Sequence, residues 1–169
     1  SWSPSGGTSA TATGFSAGTY TVTITDFNSC QFDVAITITD PPFISSSISA
    51  SSDVNCFGGS DGTATVLVSG GTPGYTYAWA PSGGNSLTAI GLSAGSYTIT
   101  VSDSNSCQGI ANVVISEPAA PLSIVASQTD VTCFGGNNGE AAILVSGGTV
   151  NYSYLWGSGG TSNSETNLT

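Results

Sequence analysis

The 169-residue chain has no lysine, no arginine and no histidine, and its ten acidic residues leave a formal charge of −10. Each absence closes off a class of function. Without cations the chain cannot neutralise phosphates, which excludes nucleic-acid binding of the usual electrostatic kind. It lacks the basic patch that draws proteins to anionic lipid. Histidine-based acid–base and triad chemistry is unavailable, and so are lysine-derived isopeptide crosslinks. No side-chain ion pair can form, so every carboxylate must face water, a hydrogen-bond donor or a bound cation. Trypsin finds no site to cut. No apolar run approaches the ~20 residues of a membrane helix, so no membrane insertion is expected. No signal peptide is visible and the sequence opens on Ser1-Trp2, inside a repeat. It reads as a piece of a longer protein.

What is present points to an ordered β protein. Hydrophobic residues reach 38 % and aromatics 9 %, enough for a modest core, whereas charged residues are only 6 %. Disordered chains are poor in β-branched and aromatic residues. Here Val, Ile, Thr and Tyr alternate in clean runs, and no stretch shows the three-and-four spacing of a helix.

The strongest signal is a fixed period. Trp2, Trp79 and Trp156 are spaced evenly, since 79 − 2 and 156 − 79 are both 77. Cys30 and Cys107 keep the same spacing, as do Cys56 and Cys133. Asp53-Val54-Asn55-Cys56-Phe57-Gly58-Gly59 returns as Asp130-Val131-Thr132-Cys133-Phe134-Gly135-Gly136. Self-similarity of this kind marks tandem copies of one folding unit. A unit of this length is a small domain in a string rather than a solenoid turn. Proline at Pro41-Pro42 and at Pro118 and Pro121 marks the junctions, because it ends strands and stiffens short linkers. The expected division is therefore the back part of one repeat at 1–42, a complete repeat at 43–119 and the front part of the next at 120–169.

Within the complete copy the pattern predicts strands at Ile44–Val54, Thr63–Val68, Tyr75–Trp79, Leu87–Leu92, Ser96–Val101 and Gln108–Ser116. Turns rich in Gly, Pro, Asn and Asp separate them. Short strands punctuated this regularly predict an all-β fold: tandem immunoglobulin-like antiparallel β-sandwich repeats of 77 residues. Gly91-Leu92-Ser93-Ala94-Gly95-Ser96-Tyr97 resembles the tyrosine corner of such sandwiches. The expected core is Trp79, Tyr97, Val66, Val68, Ile99 and Val101.

The strings Cys-Phe-Gly-Gly at 56–59, Val-Ser-Gly-Gly-Thr-Pro at 68–73, Gly-Leu-Ser-Ala-Gly at 91–95 and Ile-Ser-Glu-Pro at 115–118 together resemble the SprB-type repeat of Bacteroidetes cell-surface proteins. That repeat takes its name from a gliding-motility adhesin. The resemblance covers essentially the whole chain. One departure is small: the usual Asn-Gly-Cys before the last strand is Asn28-Ser29-Cys30 and Asn105-Ser106-Cys107 here. The resemblance implies long extracellular proteins exported by the type IX secretion system and displayed as surface filaments, with no catalysis. It leaves the bound surface open, because such repeats also serve as stalks.

The function expected is a non-catalytic structural or adhesive module of a secreted surface filament, with neighbouring repeats and other copies in the filament as partners. The alternative is a carbohydrate-binding module contacting surface polysaccharide. For that role Phe57 and Phe134 are the best aromatic candidates, though they equally suit plugs at a domain junction. Alternating threonines at Thr19, Thr21, Thr23 and Thr25 suggest ice binding only weakly, since alternating Thr is ordinary on a solvent-facing strand. Calcium is the one cofactor worth considering. Asp53, Asp61, Asp103 and Glu117 fall in turns or near junctions, where oxygen ligands could gather around this ion or simply be solvated. Cys30, Cys56, Cys107 and Cys133 suggest disulfides in an oxidising compartment. Several pairings are open: Cys56 with Cys107, Cys30 with Cys56 plus Cys107 with Cys133, or bonds between adjoining repeats. In the last case Cys56 bonds the copy of Cys107 one repeat onward. Free thiols remain a fourth reading.

Overall fold

The computed structural model describes all residues from Ser1 to Thr169 and contains strands but no helix. Its complete repeat holds six strands, labelled in chain order across the whole protein. They are β4 (Ser45–Ser52), β5 (Gly62–Ser69), β6 (Thr76–Ala80), β7 (Thr88–Leu92), β8 (Gly95–Ser102) and β9 (Gln108–Ile115). Two antiparallel three-stranded sheets result, ordered β4-β5-β7 and β6-β8-β9. The first, second and fourth strands thus share one sheet, and the third, fifth and sixth share the other.

The period of two decides what goes inside. Along β8, Tyr97, Ile99 and Val101 are buried, while Thr98 and Thr100 turn away from the core. Along β5, Ala64 and Val66 are buried. Together with Ile44, Val54, Trp79, Ala89, Leu92 and Ile115 they form one core. Of the residues expected there, Val68 is only half-buried. It stands near the end of the sheet opposite Ser46, a side chain too small to cover it.

Two polar tethers fix the aromatic core. The Tyr97 hydroxyl donates to the Ser93 carbonyl at 3.0 Å, closing the corner between β7 and β8. The Trp79 indole Nε1–H donates to the Ser86 carbonyl at 2.9 Å. Buried Tyr and Trp need such a partner for their polar end.

The strands before and after repeat the same plan. β1 (Trp2–Ser3), β2 (Gly18–Thr25) and β3 (Gln31–Ile38) form one sheet; β10 (Ser123–Thr129), β11 (Gly139–Ser146) and β12 (Ser164–Leu168) form another. β2 and β3 begin 77 residues before β8 and β9, and β11 begins 77 after β5. Tyr20 donates to Ser16 O at 3.0 Å, as Tyr97 does to Ser93. One strand of the complete repeat has no counterpart here. Tyr152–Trp156, the counterpart of the strand preceding Ala80, is irregular. In the complete repeat β6 bonds only to β8, and residues 120–169 contain no counterpart of β8. A strand pattern without a ladder partner leaves its backbone groups to water.

The chain separates into two compact units, Ser1–Phe43 with Gly70–Thr72, and Ile44–Ser69 with Pro73–Thr169. Within the second, the path through the complete repeat is in line. At one end, a Cβ placed on Gly109 would lie 3.4 Å from Ile44, so β9 begins beside the start of β4. At the other end, Val54 N–H donates to Ser116 O at 2.9 Å, so β9 finishes beside the end of β4. The chain enters one end of the sandwich and leaves at the other. The 8 residues of β9 at ~3.3 Å each separate the two ends by about 26 Å.

Candidate functional site

The chemistry-bearing side chains collect at these two ends. At the exit end lies the loop from Asp53 to Asp61. Asp53 Oδ1 accepts the Ser116 N–H at 2.8 Å, and Glu117 accepts the Gly58 N–H. Two carboxylates from opposite sides of this end therefore tie the loop to the departing chain. Inside the loop, Asp61 accepts the Asn55 backbone N–H at 3.1 Å and the Asn55 side-chain amide. Those two bonds, the backbone one foremost, hold the exposed Asp61 carboxyl below its ordinary range. The Gly-Gly pair has two separate jobs. Gly58 takes a positive φ of 73°, where a Cβ is costly. At Gly59 a Cβ would fall 2.8 Å from Val54 Cγ1.

The entry end carries the hairpin from Asp103 to Cys107. The buried Asp103 carboxylate accepts the N–H groups of Asn105 and Cys107, both at 2.9 Å. Asp26 does the same for Asn28 and Cys30 at 2.8 Å. An Asp side chain organising the backbone ahead of it is an Asx turn. Ser29 and Ser106 both adopt φ 66° here, the left-handed conformation that suits the glycine usual at this position.

The four acids considered for calcium make hydrogen bonds in separate places. No three of the acidic or cysteine side chains come together as a metal-holding group. Asp103 belongs to one end of the sandwich, and Asp53, Asp61 and Glu117 to the other. Each takes backbone or amide N–H donors instead, the partners a cation-free chain offers. The next copy makes the same point. Thr132 and Asn138 replace Asn55 and Asp61, and Asn138 Oδ1 accepts the Thr132 N–H at 3.1 Å. A neutral amide there accepts the equivalent backbone N–H.

Cys30, Cys56, Cys107 and Cys133 are all exposed free thiols. Cys56 sits in the exit loop and Cys107 in the entry hairpin, separated by about the 26 Å length of β9, whereas bridged Cα atoms lie within ~7 Å. A Cys56–Cys107 bond cannot form in this sandwich. Phe57 is 47 % exposed and Phe134 fully exposed. Neither is held in a cavity. Beside the exit loop, Asp53, Glu117, Pro118 and Val150 line an open groove where the complete repeat meets the following one.

The sequence reading did not bring out the hydrogen bonds these residues make. Asp-x-Asn ahead of a hairpin was available as an Asx-turn signal. Nothing local marks Asp53 and Glu117 as clamps, because their partners lie 63 and 59 residues away.

Comparison with known families gives one match. The SprB repeat model matches at residues 48–84 and again at 125–161, segments whose starts differ by 77 residues. This repeat family is associated with cell-surface, adhesin-like proteins of Bacteroidetes and is structural rather than known for catalysis. No curated protein matches the chain. No helix is long and apolar enough to cross a membrane.

Proposed function

We propose, starting from a chain that carries two SprB repeats, that it is a load-bearing stretch of a long extracellular filament or adhesin, without catalytic activity. Its complete repeat, 43–119, is an immunoglobulin-like sandwich, and 1–42 and 120–169 are the back and front parts of the adjoining repeats in one array. The in-line path carries this reading. Tension applied along the array enters at Ile44, leaves at Ser116, and falls on β4 and β9 lying side by side. Strands loaded along their length must shear many contacts together, whereas strands pulled from one end open one contact at a time. Asp53 and Val54, bonded to Ser116, close that pair at its exit end.

Pulling the chain by its termini tests the proposal. Unfolding of the complete repeat should appear as a discrete step releasing about 240 Å of chain, at 3.3–3.6 Å per residue less the folded length. Asp53→Ala should lower the force of that step. Smooth, stepless extension would overturn the reading.

The cysteines fit bonds between adjoining repeats. The Cys56 loop lies at the end where the chain leaves the complete repeat, and the Cys107 hairpin at the end where it enters. Two thiols lose two protons and two electrons to a disulfide oxidant, which is reduced to a dithiol. A chain with two complete repeats should then show one bond joining the Cys56 loop of the first to the Cys107-type hairpin of the second on peptide mapping.

A second reading draws on the exposure of Phe57 and Phe134. Aromatic faces open to solvent suit stacking on sugar rings, which makes polysaccharide binding the alternative. Glycan-array binding abolished by the Phe57→Ala, Phe134→Ala double variant would favour it. Binding unaffected by that change would exclude these residues.

A further inference from the structure

The string Val-Ser-Gly-Gly-Thr plays no part in the two ends described above, yet it returns with the period, at 68–72 and again at 145–149. In both copies the glycine pair turns left-handed, with φ of 71° and 67° at Gly70 and Gly71 and of 71° and 60° at Gly147 and Gly148. In both, the second glycine donates its N–H to the linker that leads into its own repeat. Gly148 N–H reaches Ala120 O at 2.8 Å, and Gly71 N–H reaches Pro42 O at 2.9 Å. The approach demands glycine, because a Cβ on Gly147 would overlap the Pro121 carbonyl oxygen.

The linker at 116–121 is held from its other side as well. Val54 N–H donates to Ser116 O, Asp53 accepts the Ser116 N–H, and Glu117 accepts the Gly58 N–H. Ser116 and Glu117 are thus tied to the complete repeat, and Ala120 to the one after it. Pro118 and Ala119 alone lie between these anchors. The ring of Pro118 fixes its φ, and the prolines at 118 and 121 hold Glu117 and Ala120 to extended backbone. Few dihedrals are left to turn. Residues on both sides of this linker fall within one compact unit. Gly148, Thr149 and Val150 line one groove together with Asp53, Val54 and Glu117.

We infer that the Gly-Gly turn locks the linker entering its repeat, so that the complete repeat and the one after it keep a fixed angle. Returning with the period, this lock makes the array a stiff spacer rather than a flexible tether. Freed as coil, the stretch from Ser116 to Pro121 would let its ends range over distances on the order of 10 Å. Gly147 and Gly148 are positioning residues, acting on the linker and not on a ligand.

The inference rests on reading the chain as part of an array, and it adds how the repeats are coupled. The two fail separately. Flexible junctions would leave the discrete unfolding steps of a load-bearing repeat in place, and stepless extension would leave the lock in place.

Double electron–electron resonance on the 169-residue chain tests it through the chain's own thiols. Cys56 and Cys133 are exposed and lie in equivalent loops of their repeats. With Cys30→Ser and Cys107→Ser, spin labels on Cys56 and Cys133 report the distance between repeats. With Cys30→Ser and Cys133→Ser, labels on Cys56 and Cys107 report a distance inside the complete repeat and set the width of a rigid pair. The Cys56–Cys133 distribution should be as narrow as the Cys56–Cys107 one. Gly147→Ala, which pushes the turn off Pro121, should broaden it about twofold or more. So should a Gly-Ser-Gly-Ser insertion between Pro118 and Ala119. That insertion leaves both repeats untouched, and keeps the test valid if Gly147→Ala unfolds its own. A Cys56–Cys133 distribution about twofold broader than the Cys56–Cys107 one in the otherwise unmodified chain would overturn the inference. So would a Cys56–Cys133 distribution that stays narrow with either change.

Discussion

Replacing Ser106 by glycine should stabilise the complete repeat, and the size of the gain follows from its backbone. Ser106 holds φ at 66°, and the left-handed conformation costs an L-residue roughly 1–2 kcal/mol. Glycine removes that cost but loses roughly 0.5–1 kcal/mol through its greater freedom when unfolded. The difference is a net gain of about 0.5–1 kcal/mol. Nothing in the fold offsets it. Ser106 is exposed, and its backbone N–H bond to Asp103 O at 2.9 Å is kept by glycine. For a domain of this size the gain corresponds to a melting-temperature rise of about 2–8 °C. Thermal unfolding followed by tryptophan fluorescence would show it, with Ser29→Gly acting in the same direction on the first sheet. Ser106→Ala is the control, since alanine keeps the Cβ and with it the strain. A Ser106→Gly variant that melts at or below the parent temperature would refute the reasoning, and would mean that the hydroxyl does something the geometry does not reveal.

Other outcomes follow from single positions. Gly62→Ala should destabilise by about 1–3 kcal/mol in chemical denaturation, because its Cβ would fall 2.7 Å from Ile115 Cγ2 and 2.8 Å from the Leu92 carbonyl oxygen. Ser46→Ala should be neutral or stabilising by up to about 1–3 kcal/mol, since Ser46 Oγ is buried with no hydrogen-bond partner; a clear loss of stability would show that the hydroxyl is satisfied. Asp61 titrates below its ordinary value of 3.8 when folded. Its contribution is therefore present above that value and lost as pH falls through the lower folded one. Amide exchange at Asn55 should accelerate as pH falls through that window, after correction for intrinsic rates, and Asp61→Asn should abolish the pH dependence.

The strands were legible because their pattern is local. Tyr97, Ile99 and Val101 on alternate positions announce an inward face, and the spacing of the tryptophans announces the number of copies. Glycine at 58 and 59 marked a turn, although the split into a left-handed residue and a close-packed one needed coordinates. The hydrogen bonds of the acids were not legible, for a physical reason. A carboxylate in a turn carries the same letter whether it awaits a cation or caps the backbone two residues ahead, and only the direction of the N–H groups separates the two. Asp53 and Glu117 were harder still, because their partners lie 63 and 59 residues away along the chain. The missing strand at Tyr152–Trp156 shows the reverse case. Its alternation is as clear as that of Tyr75–Trp79, yet residues 120–169 hold no counterpart of β8 to hydrogen-bond to it.

The order of strands in the complete repeat also sets a timetable. β4, β5 and β7 all precede Gly95, so the first sheet can close while β8 and β9 are still being made. At roughly 5–20 residues per second, synthesis of the last two strands leaves the first sheet's apolar face bare for about 1–5 s. During that interval the nearest matching cover is the finished β8-β9 pair of the repeat before, which is already committed to its own core. Any looseness in that earlier core invites an exchange of covers, and the array would then continue one repeat out of step. The Tyr97 tether to Ser93, at the start of β8, is the first contact between the two sheets that synthesis of β8 makes available.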